Sequence, residues 1–500
     1  MSEDRSTRWI LWERDPRPPQ EPQGGRTLWE RKDSAFAGAS ATLAAPVSVP
    51  APAPAADRLA TLPAPELSPV QARFVHEQPL GISQYTELIH EIIDRRLVEV
   101  VFQPIVDLAH DQVVGFEALS RGPRNSPLRT PDRLFAAARA VGRAGELDWI
   151  CRAEAFRQML QRKMPATVSL FVNVDAASLI VECPEDLLPI VWEATRELRV
   201  FIEIDGEAMN RHPQQVLETV RRARAARWGV SVGEIEFSPA GQGMLPVLEP
   251  DVVKIDHRLL TYGRAYAGQA LTAVLSEAKS SGATLLVENV ENQAGALTGR
   301  SLGGTYQRGF FHGRPGELPA AVPPPKAPIR LRELPSGPAV SPWNLVVQSG
   351  AHVSGGLRWE EINELTPNLA APIVQSSVAP VVAFLLPESG WSTEMAVIYS
   401  ILLARCPLVL VLGADVAKYG NWRVRGADLP AGHPLLEHGF LVALSPSSAL
   451  VVMARRQENT RDLWEVAISE SPELARQLLR HGTELIDGLE GGVRHAARAA

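Results

Sequence analysis

Five polar residues stand at or near the C-terminal ends of short apolar runs. Glu117 closes QVVGFE, Asn173 lies in SLFVNV, Glu203 in RVFIEI, Lys254 in DVVKID and Glu288 in LLVENVE. A buried polar group without a partner costs about 1–3 kcal/mol, and an unpaired charge costs more. One such residue is easily absorbed by a core, but five on successive runs imply a shared site. Glu117, Asn173 and Glu203 offer the oxygen donors that suit a hard divalent cation such as Mg²⁺. Lys254 could orient a water or neutralise phosphate charge, and Arg121, four residues after Glu117, could fork onto a phosphate. That chemistry points to a phosphoester ligand and, with a metal, to assisted hydrolysis. The competing reading is an ion-pair network that only plugs the core.

Positioning these residues requires strands whose ends meet. From about 84 to 315, short apolar strands alternate with amphipathic helices, which implies βα units around a parallel sheet. Their number fits a closed (β/α)8 TIM-like barrel, in which strand C-termini share one face. A doubly wound sheet is the alternative, but its glycine-rich first turn is missing. Residues 1–80 are Ala/Pro/Ser-rich, lack the branched and aromatic residues of a core, and are expected to be disordered. Leu-Trp-Glu-Arg occurs twice in this tail, in ILWERDPRP and TLWERKD, and suggests docking of a protein partner. Residues 316–342 read as a Pro-rich linker, a semi-rigid spacer. Residues 343–490 read as a smaller α/β domain with buried strands VVAFLL, LVLVLG, FLVALS and ALVVMA.

The net charge of -7 argues against binding a nucleic acid polymer. Cys151, Cys183 and Cys406 are too few and too scattered for a disulfide framework and fit the reducing cytoplasm. The apolar stretch Met395–Leu412 is broken by Arg405 and Pro407, so it reads as a helix followed by a strand and no membrane span is expected.

Over about 84–315 the chain resembles the EAL domain, the cyclic di-GMP phosphodiesterase family. VVFQPIVDLAHDQVVGFEALSR resembles its opening signature, and FVNVD, FIEID, PDVVKID, VENVE and GFFHGRP follow in the family's order. The resemblance implies metal ligation by Glu117, Asn173 and Glu203, ligand contacts from Gln103 and Arg121, and Lys254 and Glu288 beside the attacking water. Where the family carries two consecutive aspartates, this chain reads GVSVGEIEFSPAGQGM. Aligning the phenylalanine puts Ile235 and Glu236 there; counting back from Lys254 puts Gly233 and Glu234 there. In either register the first aspartate, a metal ligand in the family, is lost. Asp205-Gly206 replaces a Thr-Glu pair, and Arg308 stands at the usual glutamine position, beside Gln307.

A degenerate EAL domain is therefore expected, one that binds the dinucleotide or a protein under a sensory domain. The ligand contacts would be Gln103, Arg121 and Arg308. The alternatives are an active or slow phosphodiesterase using Mg²⁺ or Mn²⁺, with Lys254 and Glu288 as catalytic residues and Glu236 or Glu234 replacing the lost carboxylate, and a scaffold that has lost nucleotide binding. Homodimerisation is compatible with each. Residues 407–456 are similar to the DICT domain, which implies a sensory role for the C-terminal unit.

Overall fold

The computed structural model describes residues 85–499, apart from 236–237, 262–263, 333–339, 377, 386–392, 415, 417–422, 458–459 and 461. The tail with both Leu-Trp-Glu-Arg units, and Glu236, lie outside the described residues. No described helix is long and apolar enough to cross a membrane.

Eight strands close a barrel in sequence order: β1 Glu99–Asp107, β2 Gln112–Arg121, β3 Ser169–Asn173, β4 Arg199–Asp205, β5 Gly229–Gly233, β6 Val252–Asp256, β7 Thr284–Glu288 and β8 Tyr306–Arg308. From β2 to β8 neighbours run parallel, joined by helical crossovers. β1 departs from the expected all-parallel barrel, because it is antiparallel to both β2 and β8. The few residues between β1 and β2 are too short for a crossover, so they fold back as a hairpin. That reversal pairs Gln103, in mid-strand, directly with Glu117. One end of the barrel is plugged by Ile105, Val114, Phe171, Phe201, Val252 and Leu286, with the Phe171 and Phe201 rings stacked at 4.7 Å. The opposite end is left for polar side chains.

The described part of the Pro-rich segment, residues 316–332, lies against the barrel as a strap. Ile329 joins the apolar plug with no exposed surface. The Arg332 amide donates to Asp251 Oδ1 at 2.6 Å, and Asp251 Oδ2 accepts the Val230 amide at 2.6 Å. Apolar residues spaced among the prolines give this segment something to bury.

The C-terminal unit is a seven-stranded mixed sheet. Its strands are β9 His352–Leu357, β10 Val381–Leu385, β11 Val409–Gly413, β12 Val424–Asp428, β13 His438–Ser445, β14 Ser448–Arg456 and β15 Trp464–Ser469, in the order β12-β11-β10-β13-β14-β15-β9. The central runs are apolar at every position because both faces are covered. Val382, Phe384, Val409, Leu441 and Val452 pack under the helices Trp359–Val374 and Thr393–Arg405. Val381, Leu410, Val442, Val451 and Met453 face the other way, toward the helix Pro472–Ala499 and the barrel helix Pro239–Leu248.

The barrel and the C-terminal unit thus share one core. Gly243 marks the close approach: a Cβ there would lie 2.3 Å from the Ala379 carbonyl oxygen. Arg480 grips both oxygens of Glu249 at 2.6 and 2.7 Å. Arg476 is buried, donates to the Pro246 carbonyl at 3.3 Å and lies 3.4 Å from the buried Glu277. Burial pushes the Glu277 carboxyl up to about 7, against the pull of Arg476. A carboxyl raised by folding holds its proton more tightly in the folded chain, so it erodes stability as pH rises from about 4.5 to about 7. Arg476→Ala is expected to destabilise the chain by about 3–5 kcal/mol at neutral pH, since it strands a buried carboxylate. The loss should shrink on acidification to the ordinary carboxylate range. Denaturant unfolding at two pH values checks this; a pH-independent loss would contradict it.

Candidate active site

At the polar end of the barrel, β2, β4 and β7 each deliver a glutamate and β6 delivers the lysine between them. Lys254 is 1% exposed, so its ammonium depends wholly on protein partners. Its Nζ donates to Glu117 Oε2 at 2.8 Å and to both Glu203 oxygens at 2.6 Å, and lies 2.7 Å from Glu288 Oε1. A second cation enters from β8. Arg308 Nε is 2.9 Å from Glu117 Oε2, its Nη1 donates to Gln103 Oε1 at 2.8 Å, and its Nη2 donates to Glu288 Oε1. Gln103 is held the right way round because its Nε2 donates to the Gly313 carbonyl at 3.0 Å.

Three carboxylates therefore face two cations in a buried volume. Burial pushes the Glu203 carboxyl up to about 8, and the charges of Glu117 and Glu288 add to this while Lys254 opposes it. Burial acts on Glu288 in the same sense, but Lys254 and Arg308 together overcome it and hold that carboxyl at about 2. Glu203 touches one cation and Glu288 touches two, which accounts for the opposite outcomes. For Lys254 and Arg308, burial disfavours the charge, yet the glutamates outweigh it and hold both above their ordinary ranges.

Of the residues expected at the site, Gln103, Glu117, Glu203, Lys254, Glu288 and Arg308 come together. Arg121 stands apart, and Asn173, paired with Glu203 in the sheet, makes no hydrogen bond to the cluster among the described residues. Asn173 ends β3 and is exposed, lining a recess of about 130 Å³ beside the cluster. Arg121 is half-buried, and its Nη1 donates to the Ser120 carbonyl at 2.8 Å. No carboxylate lies within ion-pair distance of it among the described residues, and burial lowers its pKa.

The β5 end has a physical explanation. Gly233 is its last residue, and a Cβ there would meet Glu203 Oε1 at 2.9 Å. The absence of a side chain leaves the room that the Glu203 carboxylate uses. Glu234 follows with φ 53° and is exposed at the rim. Burial of its carboxyl and the charges of Asp205 and Glu288 nevertheless raise its pKa against the pull of Lys254, so it borders the cluster. Ile235 is buried in the core. Asp205 caps the helix Gly206–Arg211 by accepting the Ala208 amide at 2.7 Å. Gly206 is required there because a Cβ would lie 2.6 Å from Ser238 Cβ.

A divalent ion fits these donors poorly. The oxygens of Glu117, Glu203 and Glu288 lie close enough together to hold one. Lys254 and Arg308 already take them, and β5 contributes only Gly233. With the Glu203 carboxyl pushed up to about 8 and so holding its proton at neutral pH, the site as built is a neutralised ion-pair cluster.

Sequence reasoning missed the buried pair Asp148–Arg152, 2.9 Å apart, which lines the recess next to Asn173. Arg152 also stacks 3.7 Å from the Trp149 ring centroid. Their four-residue spacing on the helix Ala144–Gln161 was the available signal.

The EAL domain family profile matches residues 87–315. Residues 87–315 are an EAL domain. An uncharacterized protein of Azorhizobium caulinodans is 24% identical over 281 residues, which cover 51% of this chain and 36% of the relative. This chain thus spans about a third of that relative's length. Among solved structures, the PaMucR phosphodiesterase in complex with c-di-GMP matches at 22% identity and TM-score 0.41, over 47% of this chain and 98% of its own. The Xanthomonas citri FimX EAL domain in complex with c-diGMP matches at 18% identity and TM-score 0.41, over 47% and 95%.

Lys254→Met leaves the carboxylates of the EAL cluster with Arg308 as their sole cation and is expected to cost about 3–5 kcal/mol. Adding Glu203→Gln should recover part of that loss. Equilibrium unfolding of the single and double variants checks this; additive losses would contradict it.

Proposed function

We propose that this EAL domain binds cyclic di-GMP without hydrolysing it, as the regulatory part of a cyclic di-GMP signalling protein. The observation that carries the reading is the cluster itself, where Lys254 and Arg308 take the oxygens of Glu117, Glu203 and Glu288 that a metal would need to activate a water, and β5 ends in Gly233. The cluster below is neutralised by its own side chains, so it contributes a fixed polar floor rather than a nucleophile.

Binding falls to groups above that floor. Arg121 has its remaining donors open to a phosphate, which a guanidinium takes through paired charge-assisted hydrogen bonds without a metal. The recess beside it, with Asn173, Asp148 and Arg152 in its wall, offers polar contacts to the rest of the ligand. The C-terminal unit acts on this domain as a DICT-like sensory module. Its sheet packs on the helix Pro239–Leu248, which belongs to the crossover leading out of β5. The Trp-containing tail serves as a docking segment for a protein partner.

Calorimetric titration of cyclic di-GMP tests the reading. Arg121→Ala should weaken binding at least tenfold, about 1.4 kcal/mol, while EDTA changes it little. Incubation with Mg²⁺ or Mn²⁺ should give no ordinary turnover. Hydrolysis at about 1 s⁻¹ or more that is abolished by Glu117→Ala would overturn the proposal, as would a failure to bind at high micromolar ligand.

A further inference from the structure

We infer that Arg308 is a built-in cation that takes the place of a divalent ion in this site and makes the domain metal-independent. This rests on reading the domain as non-hydrolysing, and it assigns that behaviour to a residue on β8 in addition to the lost side chain on β5.

The geometry is that of a designed socket. Arg308 reaches Glu117, Glu288 and Gln103 through three different nitrogens, and Gln103 is itself fixed by Gly313. Its side chain is 13% exposed, so these contacts are sheltered from water. Guanidinium stays protonated throughout the accessible pH range, so its charge cannot be titrated away. A metal ion would need carboxylate oxygens at about 2.0–2.1 Å, and Arg308 and Lys254 share the inner oxygens of Glu117 and Glu288. Admitting the ion would expel the guanidinium or bring two cations into contact. Without Arg308, three glutamates would face one ammonium, and that excess of negative charge is what attracts a divalent cation.

The test uses Mn²⁺ alone as the probe, on the full chain. Free Mn²⁺ is followed by electron paramagnetic resonance, and melting temperature is followed with and without the ion. Wild type is expected to take up no Mn²⁺ in the micromolar range and to show no metal-dependent melting shift. Arg308→Gln is expected to bind Mn²⁺ at least tenfold more tightly, and its melting temperature should rise with the metal. Arg308→Lys, which keeps the charge, should behave like wild type. Tight stoichiometric Mn²⁺ binding by wild type would overturn the inference, as would a folded Arg308→Gln that takes up no more metal than Arg308→Lys. If Arg308→Gln does not fold without metal, refolding in Mn²⁺ is expected to recover it; no recovery counts against the inference. Cyclic di-GMP titration of the same wild-type sample separates the two claims, because loss of nucleotide binding sinks the proposed function and leaves the Mn²⁺ result standing.

Discussion

The barrel's polar end depends on one ammonium group. Lys254 Nζ lies within 2.8 Å of oxygens from three glutamates on three different strands. None of those carboxylates could be buried alone, and together without a cation they would repel one another. The lysine therefore ties β2, β4, β6 and β7 at the level where their side chains converge. Arg308 extends the tie to β8 and, through Gln103, to β1. Every strand of the barrel except β3 and β5 contributes a side chain to this network, and those two end in an exposed Asn173 and in Gly233.

The two exceptions explain the character of the site. A Cβ on Gly233 would lie 2.9 Å from Glu203 Oε1, so the bare β5 end leaves room for the carboxylate where it now sits. The segment that follows is then taken over by packing. Its helix Pro239–Leu248 buries Met244, Leu245 and Leu248 in the core shared with the C-terminal sheet, and Arg476 and Arg480 clamp Glu277 and Glu249 behind it. A segment committed to holding a neighbouring unit has little freedom to rearrange around a substrate.

Much of this was legible in the sequence. The strand-end residues Glu117, Glu203, Lys254 and Glu288 declared themselves because a charge in an apolar run must be met by another. Period and length marked seven of the eight barrel strands and the apolar central strands of the second sheet; β5, the short run GVSVG interrupted by glycine and serine, was not among them. The reversed β1 was less visible, since its apolar run reads alike in either direction and only the short β1–β2 turn forbids a crossover. Asn173 was expected in the cluster on strand position and on the resemblance, yet at the open end of its strand it is exposed and makes no hydrogen bond to the cluster among the described residues. Arg308 could be named as an added cation, but its socket depends on Gln103, which is 205 residues away in sequence. The strap at Ile329 was hidden by its prolines, whose abundance suggested a spacer while the few apolar residues between them were enough to anchor it.

The central claim is that Arg308 and the glutamates stabilise one another directly inside the barrel. A double-mutant cycle of Arg308→Gln and Glu117→Gln, measured by equilibrium unfolding in EDTA, isolates that interaction from the cost of each change alone. A buried, water-sheltered charge pair should give a coupling of about 1.5 kcal/mol or more. A coupling indistinguishable from zero would mean that the pair does no more than surface charges do, and the account of a self-neutralised site would be wrong.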